Sequence, residues 1–156
     1  MNLTSPATDP NVVAGISLGT QLLAGFLLLV LMVVIHGAGI VGATRLLRLE
    51  DRTLRAHRVG GKAFRLLISI ALCIFALHLL EIATFALFYL AVDALPTVEE
   101  ALYFSMSAYA TLGHPDLNFP DDWRLVGAVE GLIGFLLIGW STAVFIADMN
   151  KVIREQ

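Results

Sequence analysis

The sequence predicts an all-α membrane protein built from three transmembrane helices and one short helix that enters the bilayer and turns back. Three observations carry this reading. Of 156 residues, 58% are hydrophobic and only 15% charged, and the mean hydropathy is +0.81, well outside the range of soluble domains. Three apolar runs, at 12–41, 66–92 and 125–147, each reach the roughly 20 residues that cross a hydrocarbon core. A fourth stretch, Val98 to Ala110, is too short to cross and leads into a polar Gly/Pro segment. Non-helical backbone at membrane depth survives only where protein buries it or where it lines water.

The first element comprises residues 1–44, an outer segment followed by the first transmembrane helix. No Lys or Arg precedes the apolar run, and the run is longer than the core of a secretory signal, so it is read as a span. The second element is basic. Arg45, Arg48, Arg52, Arg55, Arg58, Lys62 and Arg65 follow one another at spacings of 3, 4, 3, 3, 4 and 3, which places them along one side of a helix. Gly60-Gly61 is expected to interrupt that helix. The segment 45–65 reads as a cytoplasmic hairpin, and Arg45, Arg48, Arg52, Arg55 and Arg58 are the residues that would meet anionic lipid.

Lys151 and Arg154, in the tail 149–156, lie on the same side as the hairpin, and Arg124 alone falls elsewhere. The positive-inside rule then puts the N-terminus outside and the C-terminus in the cytoplasm. The formal net charge of −3 conceals this split. Asp93, Glu99, Glu100, Asp116, Asp121 and Asp122 fall on the outer side. Cys73 is the only cysteine, which excludes an intramolecular disulfide. Nothing in the chain points to a nucleic-acid partner, a nucleotide site or an internal repeat.

The remaining elements occupy 66–148: an outer helix at 66–92, a short helix at 97–110, the loop 111–116, and a last helix at 124–148. Thr97 suits an N-cap, and Glu99 and Glu100 sit in the first turn, where the helix dipole favours acids. The C-terminal end of this helix would present partial negative charge to a cation. Ionisable groups inside a bilayer face protein and pair with one another. His78 and Glu81, at i and i+3, share a face, and Glu130 lies two turns into the last run. Glu81 and Glu130 both fall in the outer half of the membrane, where with His78 they would brace the short helix from behind. A metal site built from His36, His78 and Glu81 is the competing reading. It lacks a fourth ligand at helical spacing, so no metal and no enzymatic activity are expected.

The segment Tyr103 to Phe145 resembles the pore domain of potassium channels in the bacterial form with two pore-lining helices. The resemblance rests on the helix Val98–Ala110, the filter-like Thr111-Leu112-Gly113-His114-Pro115-Asp116, the outer-mouth pair Trp123-Arg124, and an inner helix bearing Gly131, Gly134 and Gly139. More narrowly, the chain is similar to small bacterial channel-like membrane proteins with one extra helix before the pore domain. That likeness includes His78-Leu79-Leu80-Glu81-Ile82 and Gly139-Trp140-Ser141-Thr142.

The resemblance implies a homotetramer around a central pore, potassium or other monovalent cations as the permeant species, and no other cofactor. It implies a selectivity filter at Thr111 to Asp116, a pore mouth carrying Asp121 and Asp122, an inner-helix hinge at Gly134, and residence in a bacterial inner membrane. The alternative is a channel fold that does not conduct and serves as an accessory or scaffold subunit. The family filter reads Thr-Val/Leu-Gly-Tyr-Gly-Asp. Here His114 replaces the tyrosine and Pro115 replaces the second glycine. Proline fixes φ near −65° and has no N–H, so the outer half of the filter is expected to differ from a potassium filter, while the inner sites near Thr111 and Leu112 persist.

Overall fold

A computed structural model describes residues 16–53, 59–113, 119 and 121–154. Four α-helices make up nearly all of it: α1, Leu18–Thr53; α2, Val59–Ala91; α3, Val98–Tyr109; and α4, Arg124–Arg154, entered through a single 3₁₀ turn at Asp121–Trp123. No strand occurs among the described residues. Three stretches are long and apolar enough to cross a membrane: Leu18–Arg45, Phe64–Ala91 and Asp121–Asn150. The short helix α3, with 12 residues, rises only about 18 Å at 1.5 Å per residue, too little to cross ~30 Å of hydrocarbon.

Local chemistry sets the helix ends. Ser17 caps α1, its Oγ accepting from the Thr20 N–H at 3.2 Å. Helix α2 closes where the Ala94 N–H donates to the Tyr89 carbonyl at 2.8 Å and the Asp93 N–H to that of Leu90 at 3.2 Å. Asp93 takes the left-handed conformation at this stop, with φ 52°, which short polar residues tolerate best after glycine. Ala94 and Leu95 are then buried, and Thr97 opens α3 by accepting from the Glu100 N–H at 3.2 Å.

The basic segment departs from the single stripe that its spacing predicts. Helix α1 runs on to Thr53 and absorbs Arg45, Arg48 and Arg52, while α2 begins at Val59 and takes in Lys62 and Arg65. Arg55 and Arg58 lie outside the described residues. Gly60-Gly61 does not interrupt anything: both are helical. They occupy the first turn of α2, where backbone N–H groups have no intrahelical partner anyway, so glycine weakens little there.

All four helices contribute to one core. Leu28 and Met32 come from α1, Phe85 and Tyr89 from α2, Ala101 and Phe104 from α3, and Val126, Ile133 and Leu137 from α4. At the end of the bundle where α3 begins, aromatic rings fill the gap. Phe104 stacks on Phe119 at 3.9 Å, Tyr89 meets both edge-on, and Trp123 meets Phe88 edge-on at 5.2 Å. The same end is tied polar-to-polar: Asp122 Oδ1 accepts from the Ile16 N–H at 3.1 Å, and Gln21 Oε1 from the Leu125 N–H at 3.3 Å. The outward faces of the long helices carry Leu22, Leu23, Phe26, Leu72, Phe75 and Phe135, all exposed, as lipid-facing helices require.

Candidate functional site

Helix α3 lies between α2 and α4, burying Ala101, Phe104, Ser105, Ser107 and Tyr109. Two carboxylates, each fully buried, reach it from the flanking helices. Glu130 of α4 lies 2.5 Å from Ser105 Oγ and accepts from the Tyr89 hydroxyl at 2.6 Å. Ser105 Oγ is also 2.9 Å from the Ile82 carbonyl oxygen of α2. One hydroxyl on α3 thus touches both neighbours.

Glu81 of α2 meets the other end of α3. It accepts from the Tyr109 hydroxyl, lies 2.8 Å from His36 Nδ1 of α1, and lies 3.1 Å from His78 Nδ1. His78 Nδ1 is also 2.8 Å from the Tyr109 hydroxyl. The far nitrogen of His36, Nε2, is 3.2 Å from Ser141 Oγ of α4. The Tyr109 hydroxyl is thus shared between Glu81 and His78. Side chains from all four helices therefore meet at the end of α3.

The backbone at this end is equally constrained. Helix α4 presents two glycines to the last carbonyls of α3. A Cβ at Gly131 would lie 3.1 Å from the Ala108 oxygen, and one at Gly134 only 2.2 Å from the Tyr109 oxygen. Gly134 is thus the point of closest approach, and α4 runs through it without a break.

Helix α3 then stops in a Schellman turn: the Thr111 N–H donates to the Ala108 carbonyl at 2.9 Å and the Leu112 N–H to that of Ser107 at 3.0 Å. The left-handed position of this turn, usually glycine, is Thr111, with φ 57°. A β-branched residue there is strained. Gly113 follows, also at positive φ, 70°. Thr111, Leu112 and Gly113 are all exposed, Leu112 at 78%.

His114, Pro115 and Asp116 lie outside the described residues. Asp121 is exposed and pairs with Arg124 at 3.1 Å, whereas the carboxylate of Asp122 is committed to the start of α1.

The structure brings His36, His78 and Glu81 together. It adds Tyr109, Ser105, Tyr89 and Ser141, which the sequence reading missed. Ser105 and Tyr109 are four residues apart, on one face of α3, and that spacing was the available signal. The His36–Ser141 contact joins residues 105 positions apart and left no local trace.

Residues 75–151 match the family model described as an ion channel. The matched segment holds about half of α2, all of α3 and nearly all of α4, including both carboxylates and the Thr111 turn. Helix α1 lies outside it. The match supports an ion-channel pore, a transporting rather than a catalytic protein. No curated protein and no solved structure matches the chain.

Proposed function

We propose that the chain is a cation channel, potassium-like, whose pore is assembled from four copies around a central axis. The observation that carries this reading is the end of α3. A helix too short to cross is anchored to its neighbours through Ser105 and Tyr109. It ends in a strained left-handed threonine followed by exposed Leu112 and a positive-φ glycine. Strained backbone persists where the surroundings over-determine it, and it concentrates at functional sites.

In this reading Thr111, Leu112 and Gly113 begin the selectivity filter, with His114, Pro115 and Asp116 completing it. Filter carbonyls must surround an ion, and one chain supplies one strand, so closed rotational symmetry provides the rest. Glu81, His78 and Glu130 are positioning residues that hold α3, and hence the filter, at a fixed depth. Gly134 allows the inner helix to seat against α3 and is the place where it would bend. Asp121, with Asp116, gives the mouth negative potential. The basic ends of α1 and α2 face the cytoplasm of a bacterial cell, against anionic lipid. Flux of K⁺ and Na⁺ into liposomes holding the purified protein, with native mass of the detergent-solubilised sample, tests this reading. A monomer, or vesicles no leakier than protein-free ones, removes it.

A further inference from the structure

The cluster at the end of α3 contains four ligand-type atoms: two imidazole nitrogens, a carboxylate and a phenol oxygen. The ligand atoms of His36, His78 and Glu81 lie within 4.8 Å of one another. Tyr109 Oη adjoins both His78 Nδ1 and Glu81. We propose that His36, His78, Glu81 and Tyr109 form a binding site for one divalent transition-metal ion of the zinc type, set behind the filter and joining α1, α2 and α3.

Three arguments carry this. The donor set is nitrogen and oxygen from side chains that suit Zn²⁺ and Co²⁺. The spacing fits as well. Bonds of 2.0–2.1 Å to a tetrahedral ion separate its ligand atoms by about 3.3 Å. The contacts here are 2.8 Å from His36 Nδ1 and 3.1 Å from His78 Nδ1 to the Glu81 oxygens. These two contacts, each to a different Glu81 oxygen, need to lengthen by a few tenths of an ångström, and the wider separations, up to 4.8 Å, need to close around the ion.

The third argument is the support around it. A metal-binding histidine is held through its other ring nitrogen by a polar partner, and Ser141 Oγ stands at His36 Nε2. A proton on Nε2, donated to Ser141, leaves the Nδ1 lone pair directed at the cluster. Trp140 packs on the same ring, with centroids 5.2 Å apart. Glu81 and His36 are fully buried, whereas 15% of the His78 side chain is exposed. Any proton held on Nδ1 leaves or moves to Nε2 when the ion binds, and the Tyr109 hydroxyl gives up its proton, so binding releases protons.

The site does not depend on conduction, so its failure and that of the channel reading are separable. The test uses the full chain, purified through a tag without histidine, stripped with chelator and titrated with Co²⁺. We expect one Co²⁺ per chain, the strong visible absorption of four-coordinate cobalt, displacement by Zn²⁺, and a higher melting temperature with metal. His36→Ala and His78→Ala should each weaken binding by more than about 10-fold. Should either variant fail to fold, Ser141→Ala, which keeps every ligand, should weaken it by roughly 10-fold. A His57→Ala/His114→Ala double variant should bind as the parent does. No stoichiometric Co²⁺ binding, a pale six-coordinate spectrum, or binding lost with His57 and His114 overturns the proposal.

Discussion

At the scale of single residues, the two buried carboxylates determine what α3 can do. Glu81 is hydrogen-bonded to two other helices, through His36 of α1 and Tyr109 of α3, and to His78 of its own helix, so removing it leaves His36, His78 and Tyr109 without their shared acceptor. Unsatisfied buried polar groups cost about 1–3 kcal/mol each. Glu81→Ala should therefore destabilise the protein by roughly 3 kcal/mol, whereas Glu99→Ala, on the exposed first turn of α3, should change little. Equal melting temperatures for the two variants would sink the bracing role. A glycine pair offers a second comparison. At Gly134 a methyl group meets a backbone oxygen that cannot swing aside, so Gly134→Ala should cost about 1–3 kcal/mol. At Gly139 nothing lies within 4 Å, and alanine, the better helix former, should be neutral or stabilising by up to about 1 kcal/mol. The reverse ranking in thermal unfolding would show that α4 does not seat on α3 as described.

At the scale of elements, the three long helices and α3 were legible because apolar length and helix-capping chemistry are local. Thr97 with Glu99 and Glu100 announced α3 to within a residue. What was not legible is equally physical. Gly60-Gly61 looked like a break, but in a first turn glycine weakens a helix too little to stop it. The bases at 45–65 looked like one stripe because spacing alone cannot tell one helix from the ends of two. The partners of Glu81 were hidden because His36 is 45 residues away and a lone histidine on an apolar helix carries no sign of what it faces. The turn after α3 was equally silent: nothing in Thr-Leu-Gly announces that the threonine, and not the glycine, takes the left-handed position. Thr111→Gly removes that strain and should raise the melting temperature by the equivalent of about 1–2 kcal/mol. If the variant is less stable, the threonine hydroxyl contributes more than the strain costs.

At the scale of the whole molecule, the proposed tetramer would repeat His114 four times near one axis. An imidazole titrates near 6.5, gaining charge as pH falls, and four such charges around a narrow path repel cations. Cation flux should accordingly decline from pH 8 to pH 5, and His114→Tyr with Pro115→Gly should abolish the decline and raise K⁺ over Na⁺ discrimination. Flux indifferent to pH in the parent would contradict the ring. Asp121 is exposed and its pairing with Arg124 is a surface one, so it contributes a screened field only. Its removal should lower cation flux at low salt and matter less as the Debye length shrinks below about 10 Å. An effect that does not vary with salt would exclude a long-range field as its cause.

The contact between Ser105, Tyr89 and Glu130 also bears on biogenesis. Ser105 and Tyr89 are synthesised before Glu130, so the hydroxyls that receive the carboxylate leave the ribosome first. Helix α4 is then handed to the bilayer with an acidic residue two turns in. An intramembrane acid costs an isolated helix a few kcal/mol on insertion, but not one that is delivered against partners already in place. Helix α4 should thus be a poor transmembrane segment by itself and a good one behind α2 and α3. A glycosylation-mapped insertion assay reads this directly. Glu130→Gln should improve insertion of the isolated segment and leave insertion in the full chain unchanged. Equal efficiency for the isolated parent and variant helices would mean that the order of synthesis gives α4 no help.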